Sequence, residues 1–150
     1  MFVRGKKIYL KLLTIEDVSD DYVNWMNDNK VTEFLESRWK AYTLEDLKEY
    51  VKTMNESQNN FLFGIFDQEN DKHIGNIKIG NINYFHRYGD IGLLVGNKDY
   101  WGKGVATEAI GLVTKYGFEE LNLNKVFAGM YSLNKGSYEA FIKNGFSWDL

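Results

Sequence analysis

The sequence contains no cysteine and no proline, and its only histidines are His73 and His86. The missing thiols exclude disulfide bonds, thiolate metal ligands and a covalent acyl-cysteine intermediate. Two histidines without cysteine offer a transition metal few ligands, so we predict no metal site. No repeat, low-complexity tract or linker interrupts the 150 residues. We therefore expect one domain over residues 1–150.

The charges are mixed, with 18 Lys and Arg against 21 Asp and Glu, which gives a formal net charge of -3 at pH 7. A nucleic-acid partner would require a basic face, so we expect none. No apolar run approaches the length of a membrane span, and Lys11 interrupts the apolar residues near the start, where a signal peptide would need them. These features favour a soluble cytoplasmic protein with no membrane partner.

Hydrophobic periodicity divides the chain into strands and helices. Strands are predicted at residues 6–14, 61–67, 72–85, 90–96 and 125–133, and helices at 14–28, 43–57, 103–121 and 135–145. Thr14 and Thr43 are predicted as N-caps, because each precedes an aspartate by three positions. The helix at 103–121 connects two strands as a β-α-β crossover. The order therefore predicts an α+β fold with a mixed sheet.

A glycine-rich stretch, GNKDYWGKGVATEAI, joins one strand to the crossover helix. Glycines at a helix N-terminus let an anion approach unpaired backbone N–H groups. The spacing excludes a Walker A loop, because five residues separate Gly96 from Gly102 and Gly104 follows Lys103. It also excludes a dinucleotide loop, because Thr107 stands where a third glycine belongs. A phosphate loop of another kind and an ordinary turn are the two interpretations left.

The segment WGKGVATEAI resembles the coenzyme A loop of the GNAT family of N-acetyltransferases. Trp101, Gly104 and Ala106 occupy the three positions that the family marks with Gln or Arg, then Gly, then Gly or Ala. Trp101 departs from that pattern, although the backbone amides stay available. The resemblance implies that these amides bind the pyrophosphate of acetyl-CoA and that Lys103 or Lys98 adds charge. The implied cofactor-binding residues of the loop are Trp101, Gly102, Lys103, Gly104, Val105, Ala106 and Thr107.

A second segment, NKGSYEAFIKNGF, resembles the next signature of the family. Asn134, Ser137, Gly145 and Phe146 match it position for position. The order of elements also matches the family fold over essentially the whole chain, and the resemblance is greatest to the branch of ribosomal-protein acetyltransferases and their small-molecule relatives. It implies a three-layer fold with a mostly antiparallel central sheet. It also implies direct attack of an amine on acetyl-CoA in a ternary complex, with Asn134, Ser137 and Phe141 at the cofactor.

The strand before the loop carries the main chemistry in the family. Its backbone binds the pantetheine arm and the developing oxyanion, which implies Leu94 and Val95 here. Three candidates for the general base stay open. Asp90 stands where several relatives have a glutamate, His86 belongs to a residue type that titrates near neutrality, and Asp149 follows the Gly-Phe pair shortly before the last residue.

A general acid is harder to assign. Phe141 stands where many family members have a tyrosine, and a phenyl ring cannot donate a proton. Ser137 stands where the ribosomal branch has a serine proposed for this role, although it also suits helix capping or a cofactor contact. Because a thiolate is a tolerable leaving group, a dedicated acid is not required.

The acceptor side is predicted from aromatic and charged residues outside the cofactor loop. The predicted substrate-binding residues are Glu36, Arg38, Trp39, Tyr84 and His86. Rings and charges together suit a sugar or nucleotide, so we expect a small-molecule amine such as an amino sugar, free or nucleotide-linked. Acetylation of a protein N-terminus and non-catalytic binding of acyl-CoA are the alternatives.

The family usually continues beyond the Gly-Phe pair into further strands, whereas this sequence ends at SWDL. Either the domain lacks its final strands or a partner chain completes the sheet. An open edge beside Trp148 would favour association, so a homodimer through that edge is one expectation.

Overall fold

The computed structural model describes residues 2–33, 41–128 and 135–147, and within the last range the side chains from Glu139 onward. The described strands are β1 (Phe2–Arg4), β2 (Ile8–Leu12), β3 (Phe61–Asp67), β4 (His73–Asn83), β5 (Tyr88–Val95) and β6 (Lys125–Ala128). The described helices are α1 (Asp20–Met26), α2 (Asn29–Thr32), α3 (Leu44–Glu56), α4 (Val105–Glu119) and α5 (Lys135–Lys143).

The described strands form one sheet in the order β1-β2-β3-β4-β5-β6. Neighbours from β1 to β5 pair antiparallel. Short turns join β1 to β2, β3 to β4 and β4 to β5, whereas α1, α2 and α3 lie between β2 and β3. β5 and β6 pair parallel, since α4 carries the chain back across the sheet between them. The predicted fold class is therefore confirmed: a mixed, mostly antiparallel sheet with flanking helices.

Each face of the sheet has its own apolar core. The α4-side core includes Phe63, Ile65, Ile77, Ile79, Ile91, Ala109, Ile110 and Val113. The α1-side core consists of Tyr9, Leu13, Val18, Tyr22, Trp25, Leu47, Val51, Leu62 and Phe66, and it packs the sheet against α1 and α3. Side chains of a strand alternate between the faces, so the two cores give the three-layer arrangement.

The predicted N-caps have different outcomes. Thr43 caps α3 as predicted, with its hydroxyl accepting from the Asp46 amide at 3.1 Å. Thr14 does not begin α1. The Asp17 carboxylate accepts from the Thr14 amide at 2.8 Å and closes a 3-10 turn over Ile15–Asp17, after which Val18 is extended. Ser19 is the N-cap of α1, so the predicted helix start at Thr14 was wrong.

The last elements agree with prediction where they are described. β6 covers Lys125–Ala128, and residues 129–133 of the predicted strand lie outside the described residues. α5 ends before Gly145, whose φ of 87° is the left-handed conformation that stops a helix. The prediction that Gly145 terminates this helix is confirmed.

Candidate functional site

The connection from β5 to α4 has the backbone shape that an anion site needs. Gly102 and Gly104 have φ angles of 75° and 81°, a region that residues with a side chain rarely adopt. Gly104 is the N-cap of α4, and no side chain caps the helix. The amide of Glu108 donates to the Gly104 carbonyl at 3.1 Å and begins the helical ladder. The amides of residues 105–107 therefore precede the ladder and can bind an external acceptor.

The space in front of these amides is open at its first glycine. A Cβ atom at Gly102 would meet no atom within 4 Å. A Cβ atom at Gly104 would have one neighbour within 4 Å, the Nζ of Lys7 at 3.6 Å. An oxyanion can thus approach the backbone closely here, which fits the doubly charged pyrophosphate of coenzyme A.

Lys7 brings a positive charge to this connection that sequence reasoning missed. Its Nζ donates to the carbonyl of Lys103 at 3.0 Å, across a sequence separation of 96 residues. Lys7 lies in the β1–β2 turn, and Glu108 holds that turn in place by accepting from the amides of Lys7 at 3.0 Å and Ile8 at 2.9 Å. No local pattern marks Lys7, because only the packing of α4 on β2 brings it to the loop.

The predicted lysines of the loop have different surroundings. Lys98 forms an ion pair with Asp28 at 2.5 Å. The hydrogen bond from Lys98 lowers the pKa of the Asp28 carboxyl, which also caps α2 by accepting from the Lys30 amide. The ammonium of Lys98 is thus paired with the N-cap of α2, whereas Lys103 lies next to Gly104 at the start of α4.

Trp101 stands where the family has a polar side chain, and its indole forms a hydrogen bond within the protein. The Nε1 donates to the carbonyl of Val95, the last residue of β5, at 2.7 Å. The ring is 44% exposed, so little of its apolar surface contributes to the core. Trp101 therefore fixes the loop to the end of the strand that precedes it.

β5 presents different residues to the two faces of the sheet. Ile91 is fully buried in the α4-side core, so Asp90, Gly92 and Leu94 lie on the opposite face. A Cβ atom at Gly92 would meet no atom of the described residues within 4 Å, so among them this face is open beside Asp90. The Asp90 carboxylate accepts a long hydrogen bond of 3.4 Å from the side-chain Nδ2 of Asn81.

The described pairing of β5 with β6 covers only the first half of β5. It runs from Tyr88 opposite Lys125 to Ile91 opposite Ala128. Leu94 and Val95, the residues predicted to bind the pantetheine arm, lie beyond these pairs. Their main-chain groups on that side have no strand partner among the described residues.

His86 and Tyr84 lie at the other end of β5, in its turn with β4. The strand from Tyr88 to Val95 alone separates this turn from the loop end of β5 by about 23 Å. His86 is exposed, and its ring contacts Phe85 at 4.9 Å between centroids. The hydroxyl of Tyr84 donates to the Gln58 carbonyl. The structure thus brings Asp90, Leu94 and Val95 onto the strand that leads into the loop, and it separates His86 and Tyr84 from that loop.

The second predicted motif is only partly described. Phe141 is buried in the α4-side core and packs edge-on against Phe146, with ring centroids 5.0 Å apart. Asn144, which we did not predict, donates from Nδ2 to the Thr107 carbonyl at 2.9 Å and so ties the end of α5 to the first turn of α4. The predicted residues Glu36, Arg38, Trp39, Asn134 and Asp149, and the side chain of Ser137, lie outside the described residues.

Residues 2–33, 41–128 and 135–147 contain neither a candidate metal site nor a candidate membrane span. Within these ranges no cluster of three or more His, Asp or Glu side chains could hold a metal ion. No helix in the same part of the chain is both long enough and apolar enough to cross a bilayer.

Comparison with known proteins places this geometry in a family. Residues 7–147 match the acetyltransferase (GNAT) domain. The probable N-acetyltransferase YjcK of Bacillus subtilis is 32% identical over 154 residues, which cover 96% of this chain and 82% of that protein. A spermidine N-acetyltransferase from Vibrio cholerae, solved with CoA and spermine, superposes with a TM-score of 0.82 at 22% identity, over 97% of this chain and 84% of that one.

A ribosomal-protein-S5-alanine acetyltransferase from Vibrio fischeri has a TM-score of 0.76 at 20% identity, over 98% of this chain and 83% of that one. At such identities the two solved structures show a shared fold. The family match spans nearly the whole chain. The chain belongs to the GNAT family and is an acetyl-CoA-dependent N-acetyltransferase.

Proposed function

We propose that the protein acetylates the primary amine of a small molecule, with an amino sugar, free or nucleotide-linked, as the expected acceptor. One observation carries the proposal. Asp90 lies on a face of β5 that is open at Gly92, on the same strand that ends at the glycine loop. A carboxylate, an open surface and an anion site along one strand suit an amine acceptor and a long phosphate-bearing donor.

The loop geometry supports the proposed cofactor-binding residues. The amides of residues 102–107 bind the pyrophosphate, and the ammonium groups of Lys103 and Lys7 neutralise part of its charge. The main chain of Leu94 and Val95 binds the arm that leads to the thioester. When bound, acetyl-CoA supplies an acetyl thioester that an amine can attack. Trp101 holds the loop in register with β5 through its bond to Val95.

Asp90 is the general base in this proposal, in preference to His86. The attacking amine must be neutral, so a carboxylate at the open face takes its proton directly or through water. Asp90 is partly buried on the strand that approaches the loop, whereas His86 is exposed in the turn at the far end. The leaving thiolate requires no dedicated acid, so the role of Ser137 rests on resemblance alone.

The relatives support a small-molecule acceptor without identifying it. A spermidine N(1)-acetyltransferase from Escherichia coli is 34% identical over 73 residues, which cover 49% of this chain. The solved spermidine enzyme shares the fold. Both act on small amines by name, so a compact amine is the natural class to test first.

The test measures coenzyme A release from acetyl-CoA with a panel of amines. The panel contains amino sugars, nucleotide-linked amino sugars, spermidine and peptides with a free N-terminus. Turnover with a small amine and none with peptides is the expected result. Turnover with peptides alone would instead assign the enzyme to protein N-termini. Tight binding of acetyl-CoA without turnover on any amine would contradict the enzymatic function and favour an acyl-CoA-binding role.

A further inference from the structure

A lysine lies next to the proposed base on the open face of the sheet. Lys78 is in β4, directly opposite Gly92 of β5. Its neighbours Ile77 and Ile79 are fully buried in the α4-side core, so Lys78 lies on the other face, with Asp90. Gly80 is opposite Asp90, which makes Lys78 and Asp90 diagonal neighbours with Cβ atoms about 7–8 Å apart.

The side chain of Lys78 runs toward Asp90. A Cβ atom at Gly80 would meet the side-chain oxygen of Asn60 and would lie 3.2 Å from the Cε of Lys78 and 3.4 Å from its Cδ, so the Lys78 stem and the Asn60 amide together cover Gly80. The ammonium at the end of that stem is therefore carried toward the residue paired with Gly80, which is Asp90. Opposite the base of the stem, Gly92 leaves the surface free of side-chain atoms.

The two charges interact without forming an ion pair. Among the described residues no ion pair joins Lys78 to Asp90, so the Lys78 ammonium and the Asp90 carboxylate lie more than 4.0 Å apart. Lys78 is partly buried, and this burial lowers the pKa of its ammonium while Asp90 raises it. A partly desolvated ammonium is stabilised by a hydrogen-bonded anion, and none of the described residues supplies one.

We propose that Lys78 binds an anionic group of the acceptor while Asp90 receives its amine. The acceptor is then a primary amine that also carries a carboxylate or a phosphate. This inference rests on the proposed function and narrows its acceptor class. A polyamine such as spermidine presents only positive charge to Lys78 and is disfavoured, which would distinguish this enzyme from the spermidine acetyltransferases that share its fold.

The test compares matched acceptors that differ only in the anionic group. Glucosamine 6-phosphate is paired with glucosamine, and alanine with alaninamide, so that the two pairs separate phosphate from carboxylate. For the wild-type enzyme we expect kcat/KM to be about tenfold or more higher for the anionic member of at least one pair, and higher than for spermidine. The pair that shows the preference identifies the anion.

Variants of Lys78 then assign the preference to this side chain. Lys78→Met is expected to lower kcat/KM for the anionic member about tenfold more than for its neutral counterpart, and Lys78→Arg to keep most of the preference. Lys115→Met, on the exposed side of α4, is the matched control and should leave the ratio unchanged.

The outcomes separate the two proposals. A wild-type enzyme that acetylates neutral amines or spermidine as well as the anionic acceptors would overturn the role of Lys78 and leave the proposed function intact. A preference that survives Lys78→Met would do the same. Absence of turnover with every amine, together with binding of acetyl-CoA, would reject both. The wild-type comparison needs no variant, so misfolding of Lys78→Met cannot obscure the result.

Discussion

The two faces of the sheet at β4 and β5 differ in how closely they are packed, although each strand contributes residues to both faces. On the α4 side, a Cβ atom at Gly89 would lie 3.2 Å from Ile82 and 3.3 Å from Ile79, so the core leaves no room for a side chain. On the other side, a Cβ atom at Gly92 would meet nothing within 4 Å in the part of the chain that the structure describes. The closed face stabilises the fold, and the open face leaves room for substrates.

Charge follows the same division. Among the described residues the buried polar ones are Thr32 and Asn76, and Asn76 lies on the face of β4 that also carries Lys78. The face of β4 and β5 opposite the α4-side core carries Lys78 and Asp90. Alternation along a strand thus separates the residues that bear stability from those that bear chemistry. Substitutions at neighbouring positions should therefore change different measurements.

The largest effect is expected at Asp90. Asp90→Asn keeps the size of the side chain and removes its ability to take a proton, so kcat should fall by about 10²–10⁴-fold. Binding of coenzyme A and the free energy of unfolding should change little, because among the described residues the Asp90 carboxylate accepts a single long hydrogen bond. Steady-state kinetics and a urea titration check both. His86→Gln is the control, and a larger loss in that variant would assign the base to His86.

Substitution of Ile91, the next residue along β5, should lower stability. Ile91→Ala removes a fully buried side chain of the α4-side core, so the free energy of unfolding should fall by about 2–5 kcal/mol. Leu94→Ala, a partly buried position on the open face, should cost clearly less. Urea unfolding of both variants measures the difference. Equal losses would show that the face around Leu94 is as tightly packed as the core, contrary to the comparison.

Most of the described helices and strands, and the glycine loop, could be predicted from the sequence. Strong periodicity and a capping box marked α3 within one residue of its bounds at each end, and the apolar run at 61–67 coincides with β3. β1 and α2 were missed because segments of three and four residues are too short to show a period. The glycine loop was found because its backbone requirement is visible in the residue types themselves.

The remaining parts of the site depend on tertiary contacts. Lys7 reaches the loop across 96 positions, and no pattern near Lys7 announces it. Lys98 looked like a loop cation until its ion pair with Asp28 was known. Lys78 became a candidate only through the register that puts it opposite Gly92 and beside Asp90. Register is set by the turns and bulges between strands, so it could not be inferred from the separate strand patterns.

The backbone at the start of α4 is also accessible. Substitution there is expected to have a smaller effect than substitution of Asp90 or Ile91, and this effect falls on coenzyme A affinity. Gly104 has a φ of 81°, so Gly104→Val forces a β-branched residue into a left-handed conformation at a cost of about 1–3 kcal/mol. The dissociation constant of coenzyme A should rise about tenfold or more. Trp101→Gln removes only the bond to the Val95 carbonyl and should cost less. Calorimetric titration compares them, and the opposite ranking would reject the loop as the pyrophosphate site.

The finest test uses the two glycines of β5 that face opposite sides. Gly89→Ala should destabilise the fold by about 1–3 kcal/mol, because the new methyl group would press on Ile79 and Ile82. Gly92→Ala should leave stability unchanged or raise it by about 0.5–1 kcal/mol, because alanine restricts the unfolded chain and meets no neighbour in the folded one. Its methyl group would instead occupy the surface between Lys78 and Asp90, so the acceptor KM should rise severalfold while coenzyme A affinity stays the same. If Gly92→Ala were as destabilising as Gly89→Ala, with unchanged KM, the face that we describe as open would be closed in solution and the acceptor would have to bind elsewhere.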